Sequence, residues 1–326
     1  MDQYLTKNSL VTIVVPFHNA EEYLESCVMS IINQFYQNME VFLINDHSDD
    51  KSVELAEKFC LQDNRLNLID SKLRGVSAAR NLGIELAHGE FITFIDADDM
   101  IEKEFISELL KGYDCQDVDL SVCTYDNNLS QNAEKVTKID MVETNEFLKE
   151  LFLPSSSVGS FVWNKLYNVK LIKQYNLMFD ETISTCEDTL FNFNYLKHCY
   201  KVNINYNDMY HYRINKQGLM YSKGFNQQKL TGNKAFTFII NSLDKEKNLK
   251  LEDQAKVACM LFNLILIMQL ILDSNIEKHT YFKEIYQFAT MDIGLFFKSN
   301  VHLKYKLGLI YVVLYKIKNS MTPKRF

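Results

Sequence analysis

Three carboxylates fall within four positions at Asp96-Ala97-Asp98-Asp99, directly after the aromatic and β-branched run Phe91-Ile92-Thr93-Phe94-Ile95. Carboxylates this close raise one another's pKa unless a cation sits between them, and hard divalent ions accept such oxygens while leaving positions for phosphate. The pattern points to Mn2+ or Mg2+ held by Asp98 and Asp96 beside a phosphorylated ligand. Asp99 has a separate explanation, because Asp99-Met100-Ile101-Glu102 fits a capping box opening a helix from Met100 to Lys111. A second acidic pair, Glu187-Asp188, opens a helical pattern through Leu190, Phe191, Phe193, Tyr195 and Leu196. Acids in a first turn complement the helix dipole, and an acid so placed also serves as a general base.

Neither GxGxxG nor GxxxxGK[ST] follows the first strand, so a diphosphate would be held by metal and basic side chains. The candidates are Arg74, Arg80, Lys165 and Arg213, with Arg74 equally well read as a surface charge. His211, in Tyr210-His211-Tyr212-Arg213, is expected as a further metal ligand. The single tryptophan, Trp163, follows the flexible stretch Pro154 to Ser160 and precedes Asn164 and Lys165. It either packs in the core or helps these two bind an acceptor sugar. The run through Gly218 and Gly224 suggests a lid.

The elements that position these residues alternate regularly. Leu10 to Val15 reads as a central strand halted by Pro16, and Asn19-Ala20-Glu21-Glu22 opens a helix with Leu24, Cys27, Val28, Ile31 and Ile32 on one face. Val41 to Ile44, Arg65 to Ile69 and Phe91 to Ile95 read as further strands. Helices through Val53, Ala56 and Phe59, and from Val76 to His88, lie between them. Such alternation predicts an α/β fold with a mostly parallel sheet flanked by helices, whose ligands bind outside the strands' carboxyl ends. Phe17-His18-Asn19, Asn45-Asp46, Asp96 and Asp98 all converge there. Leu120 to Tyr125 is a later strand, and Asp126 to Asp140 reads as an exposed loop.

Bulk composition is that of a globular chain: 326 residues, 47% hydrophobic, 24% charged. Seven cysteines without CxxC spacing, and a polar Met1 to Asn8, predict a reducing, cytoplasmic setting. Net charge is −7, yet no acid follows Asp292 while Lys298, Lys304, Lys306, Lys316, Lys318, Lys324 and Arg325 do. An acidic body with a basic tail argues against nucleic acid and suits peripheral attachment to the inner face of an anionic membrane. Val257 to Leu272 is apolar but broken by Asn263 and Gln269, and reads as a buried helix. In Val301 to Lys318, Leu303, Leu307, Ile310, Leu314 and Ile317 form one apolar face, suited to an in-plane membrane helix or to packing on the catalytic domain.

Five ordered segments jointly resemble glycosyltransferase family 2, the inverting nucleotide-sugar enzymes with the GT-A fold. Val11 to Asn19 resembles the opening strand and loop, with His18 where Tyr is usual. Ile44 to Asp50 resembles the "VDDGSTD" segment and Gly75 to Gly83 the "GxSxARNxG" segment. Asp96-Ala97-Asp98 matches the DxD motif and Glu187-Asp188 the "ED" motif. The resemblance implies a donor site of Pro16, Asn19, Asp46, Arg80, Asp96 and Arg213, in which Asp46 reads the base, uracil by habit, and Arg80 helps hold the nucleotide. Asp98 would ligate manganese or magnesium with Asp96 nearby, and Asp188, beside Glu187, would deprotonate the acceptor hydroxyl. Asn45 stands where Asp is typical and His47 where Gly is, departures that bear on the nucleotide more than on the reaction.

The expected organisation is a catalytic domain over 1–225, its nucleotide-sugar half about 1–125 and its acceptor half about 126–225, followed by a helical region over 226–326. The expected function is transfer from a UDP-sugar to a glycan or lipid-linked saccharide in surface polysaccharide synthesis. A silent sugar-nucleotide-binding scaffold competes, against which Asp98 and Asp188 argue. So does a phosphoryl-transfer enzyme, which would carry its DxD after the first strand. The sequence leaves open whether the chain dimerises through its helical end.

Overall fold

The computed structural model describes residues 8–115, 117–126, 138–215, 225–245, 248–273 and 278–321. The lid expected around Gly218 and Gly224, and most of the loop expected between Asp126 and Asp140, lie outside these residues. The chain divides into two compact units, Met1–Leu151 with Ser155–Asn215, and Phe152–Pro154 with Lys216–Phe326.

The first unit is built on one sheet. Its elements in order are β1 (Val11–Phe17), α1 (Leu24–Ile32), β2 (Met39–Asn45), α2 (Ser52–Gln62), β3 (Leu66–Asp70), α3 (Val76–Leu86), β4 (Phe91–Phe94) and β5 (Met100–Ile101). There follow α4 (Phe105–Lys111), β6 (Val118–Asp126), β7 (Ile139–Glu143), α5 (Thr144–Phe147), β8 (Lys165–Asn168), α6 (Val169–Gln174), α7 (Glu187–Leu196) and β9 (Lys201–His211). Strand order is β3-β2-β1-β4-β8-β6-β9-β5, with β7 also paired to β9. The first four strands are parallel, in the βαβ arrangement expected from the alternation. Beyond them the sheet is mixed, because β8 runs antiparallel to both β4 and β6.

All seven residues of β1 are buried, as a strand covered by helices on both faces requires. Pro16 does not halt it: β1 continues through Pro16, paired with Ile44, to Phe17. The missing N–H is tolerated because pairing with β4 ends at Val14. Gly83 lets α3 approach β1 closely, since a Cβ there would stand 2.5 Å from both methyls of Val14. The helix expected from Met100 begins only at Phe105. Met100 and Ile101 are instead drawn into β5 by pairing with His211 and Tyr210.

The second unit is helical: α8 (Gly232–Lys245), α9 (Leu249–Leu272), α10 (Lys278–Ala289), α11 (Ile293–Lys298) and α12 (Leu303–Met321). By length and composition α9 could cross a membrane. It nevertheless forms the centre of this unit's core through Met260, Leu264, Leu266, Ile267 and Leu270, packed with Ile285, Phe296, Leu309 and Val312. Asn263, which interrupts its apolar run, is fully buried and donates to Asn233 Oδ1 of α8 at 2.7 Å and to Cys259 O at 2.9 Å. A buried amide that donates across to a neighbouring helix is the mark of a core helix.

Candidate active site

The loops after β1 and β2 are tied to each other. Asn19, held at φ 49°, donates through Nδ2 to Asp49 Oδ1 at 2.7 Å and accepts from the Asp49 N–H at 2.9 Å. Asp46 accepts from the Gly75 N–H on both oxygens, at 3.0 and 2.9 Å. Gly75 itself sits at φ 108°, a conformation open mainly to glycine, so the start of the "GxSxARNxG" segment is what pins Asp46. His18 Nδ1 lies 2.7 Å from the Asp46 carbonyl. Asn45 donates to Asp70 Oδ1 at 2.8 Å and accepts from the Ser48 N–H at 2.9 Å, which makes it a loop brace. Pro16 is buried within β1, and Arg74 is exposed in the turn before Gly75.

Arg80 joins the two acidic motifs. Its guanidinium donates to Asp188 Oδ1 at 2.6 Å and Glu187 Oε1 at 3.3 Å through Nη1, and to Asp96 Oδ1 at 3.0 Å through Nη2. The Arg80 side chain is only 4% exposed, while those of Asp96, Glu187 and Asp188 are 29%, 13% and 17% exposed. One buried cation thus faces three partly exposed carboxylates. Burial, helped by Glu187 and Asp96, raises the Asp188 carboxyl to about 7 against the pull of Arg80. For Arg80, the three anions outweigh burial and hold the guanidinium firmly charged. Glu187 and Asp188 open α7 after Cys186, which adopts φ 66°.

Asp96 and Asp98 follow β4 as expected. Burial and the Asp96 charge raise the pKa of Asp98, whose Oδ2 accepts from Asn215 Nδ2 at 3.1 Å. Asp99 is not a helix cap: it is fully buried and accepts from the Tyr210 hydroxyl and the Arg213 N–H, each at 2.7 Å. Burial first, then Asp96 and Asp98, push it up to about 8. The Arg213 side chain crosses to α1, its Nη2 3.3 Å from Ser26 Oγ and its guanidinium 5.0 Å from the Tyr23 ring.

His211 is the further metal ligand expected from the sequence. Its Nε2 lies 2.8 Å from Glu102 Oε1 and its Nδ1 3.2 Å from Asp126 Oδ1, so both ring nitrogens already have partners. No group of three His, Cys, Asp or Glu side chains able to hold a metal occurs among the described residues. Asp98 and Asp96 still fit a hard divalent ion, because burial and the Asp96 charge, which together raise Asp98, are both offset by a cation. Such an ion commonly takes one or two carboxylates and completes its shell with phosphate and water.

The sequence profile described as Glycosyl transferase family 2 matches residues 12–176. The chain belongs to this family. Its relatives in family 2 include the putative glycosyltransferase EpsH of Bacillus subtilis (strain 168), 32% identical over 256 residues, 76% of this chain and 72% of that protein. Among solved structures, S. aureus TarS 1-349 superposes with a TM-score of 0.63 at 18% identity, over 95% of this chain and 88% of that one. The mannosyltransferase PcManGT of Pyrobaculum calidifontis, in complex with GDP-Man and Mn2+, gives 0.52 at 12% identity, over 95% of this chain and 87% of that one. The fold is therefore the GT-A-like fold of nucleotide-sugar transferases, and the chain is a glycosyltransferase.

Within this family 2 enzyme, the residues expected to meet the acceptor are buried. Trp163, Asn164 and Lys165 are 2%, 0% and 0% exposed, so their side chains offer no surface to an acceptor. Trp163 is stacked between Phe161 and Tyr210, with ring centroids 4.7 and 4.2 Å away. Lys165 Nζ donates to the carbonyls of Val158 at 2.7 Å, Gly159 at 3.1 Å and Phe161 at 2.6 Å, and to Asn164 Oδ1 at 2.8 Å. Burial lowers it to about 7 despite the attraction of Asp188. Asn192 of α7 grips the same segment through Ser160 O at 2.6 Å and Phe161 O at 3.1 Å, and the Val162 backbone hydrogen-bonds the Asp188 carboxylate. Asn164 and Lys165 thus brace the 158–161 segment that Asn192 also holds.

Sequence reasoning missed Asn215, Tyr210 and Asn81. Asn81 donates to Phe179 O and Glu181 Oε1, both at 3.0 Å, and accepts from the Phe179 N–H at 2.8 Å. Its place beside Arg80 in the "ARN" triplet was the available signal. Asn215 and Tyr210 had none, because their partners lie 117 and 111 positions away.

Proposed function

We propose that the chain is a metal-dependent, inverting transferase that moves a hexosyl or N-acetylhexosaminyl group from a nucleoside-diphosphate sugar, by preference a UDP-sugar, to a hydroxyl of a glycan or lipid-linked saccharide in surface polysaccharide synthesis. The observation that carries this reading is the single Arg80 guanidinium that spans Asp96 and Asp188. It puts the residue expected beside the diphosphate and the residue expected to take the acceptor proton within one side chain's reach. TarS in complex with UDP-GlcNAc supports the donor class, and PcManGT with GDP-Man and Mn2+ supports the use of a metal.

Asp98 and Asp96 would hold the divalent ion, and that ion, when bound, offsets charge on the departing diphosphate. Asp46, fixed by Gly75, would accept from the base. Asp188 accepts the proton as the acceptor oxygen bonds to the anomeric carbon and the bond to the diphosphate oxygen breaks. Displacement from the face opposite the leaving group inverts that carbon.

The test is nucleotide release from UDP-, GDP-, CDP- and dTDP-sugars, with Mn2+ and with chelator, beside direct donor binding. Metal-dependent release from one donor supports the reading. Absence of both release and metal-dependent binding for all four refutes it.

A further inference from the structure

The apolar stripe of α12 faces solvent. Leu303, Leu307, Ile310, Leu314 and Ile317 are 65%, 57%, 43%, 58% and 43% exposed. The helix packs into its own unit by the opposite side, through Leu309 and Val312 with Tyr305 and Tyr315 partly buried beside them. At 3.6 residues per turn these two sets lie roughly half a turn apart, so neither can be exchanged for the other by a small rotation. Within its own unit, then, the helix packs by the face opposite this stripe.

The charged side chains that α12 itself places beside the stripe are all basic. Lys306 and Lys318 border it on either side and Lys304 lies just beyond, while no acidic side chain occurs anywhere after Asp292. Lys306 Nζ donates to Phe297 O at 2.8 Å, which brings α11 alongside, and there Ile293 and Phe297 are 40% and 39% exposed. A contiguous apolar face rimmed by lysines is what a helix lying in a bilayer interface presents: side chains enter the acyl boundary while ammonium groups reach anionic headgroups. A protein partner or a second copy of this chain would have to meet these lysines with acids, and this helix has none to offer to its own copy.

We infer that α12, with the exposed edge of α11, docks the protein flat on an anionic lipid surface. This contact is independent of the glycosyl-transfer reading. It is tested by sedimentation of the full chain with phosphatidylcholine vesicles, with and without phosphatidylglycerol, at low and high salt, beside the solution mass. Binding to the anionic vesicles alone, weakened by salt, is expected. Lys304→Gln, Lys306→Gln and Lys318→Gln should each lower partitioning by about fivefold. Leu307→Ser with Leu314→Ser should abolish it while donor binding and the melting temperature stay unchanged, because both residues are exposed. Equal binding to neutral vesicles, undiminished binding by the double serine variant, or a stable dimer that this variant dissociates without any vesicle binding would each overturn the inference.

Discussion

Arg80 Nη1 lies 2.6 Å from Asp188 Oδ1, and the other terminal nitrogen of the same guanidinium lies 3.0 Å from Asp96 Oδ1. The carboxylates proposed for the donor and acceptor sides are thus tied through one buried cation, not merely placed on the same side of the sheet. Removing one member of a buried ionic group costs about 3–5 kcal/mol, because the charges left behind are uncompensated. Arg80→Met is expected to lose that much stability at pH 8 and less at pH 5, where Asp188 is neutral. Thermal melts of both proteins across pH check this.

Asp188 carries opposite pH trends in rate and stability. Its carboxyl is raised by burial to about 7, above its ordinary value. Its contribution to stability is therefore present at acid pH and is lost as pH rises through about 7. The basic form needed for transfer grows over the same interval. Turnover should show an acid limb near neutrality, and Asp188→Asn should lower it by about 10²–10⁴-fold, remove the limb and leave donor binding intact. The pH profile of turnover, with donor titrations on both proteins, decides it.

Asp98→Asn should separate function from folding. Burial and Asp96 raise the Asp98 pKa, so its charged form is disfavoured in the folded protein. Asparagine removes that cost, and the melting temperature at pH 8 should stay level or rise while metal-dependent donor binding is lost. Calorimetry with and without Mn2+ reads both quantities, and unchanged metal-dependent binding would remove Asp98 from its assigned role.

Lys165 predicts a slope. Burial lowers it to about 7, below the ordinary lysine value of 10.5, so between these two pH values the unfolded chain binds more protons than the folded one. Stability from this group therefore rises with pH across that window, by up to about 1.4 kcal/mol per pH unit. Lys165→Met should flatten that part of the curve, as denaturant titrations at pH 7.5 and 9.5 would register.

Gly83→Ala places a methyl 2.5 Å from Val14 and should cost about 1–3 kcal/mol. Because α3 also carries Arg80, turnover should fall further than the loss of stability alone explains. Turnover measured well below the melting transition distinguishes the two effects.

The parallel half of the sheet and the convergence of Asp46, Asp96 and Asp98 were legible because each rests on a local pattern: an apolar run, then a polar turn. What escaped depends on long-range pairing. Met100 and Ile101 follow a credible capping sequence, yet β9, more than a hundred residues on, captures them as a strand and buries Asp99 under Tyr210. Trp163 reads the same in a sequence whether it meets a sugar or, as here, Phe161 and Tyr210. His211 likewise offers two nitrogens on paper that Glu102 and Asp126 occupy in the fold. The α12 stripe was visible as a stripe, but its direction was not, since periodicity cannot say which side of a helix the core will choose.

Residues 80, 81 and 83 occupy barely one turn of α3, yet they reach Asp188, the chain at 179–181 and β1 respectively. These elements are therefore gauged against each other by three positions within one turn of α3 and not by the width of the sheet. Loops that shape the approach of an incoming sugar chain can change length and sequence without altering the span between Asp96 and Asp188. A scaffold gauged in this way can diversify what it accepts while keeping its chemistry fixed.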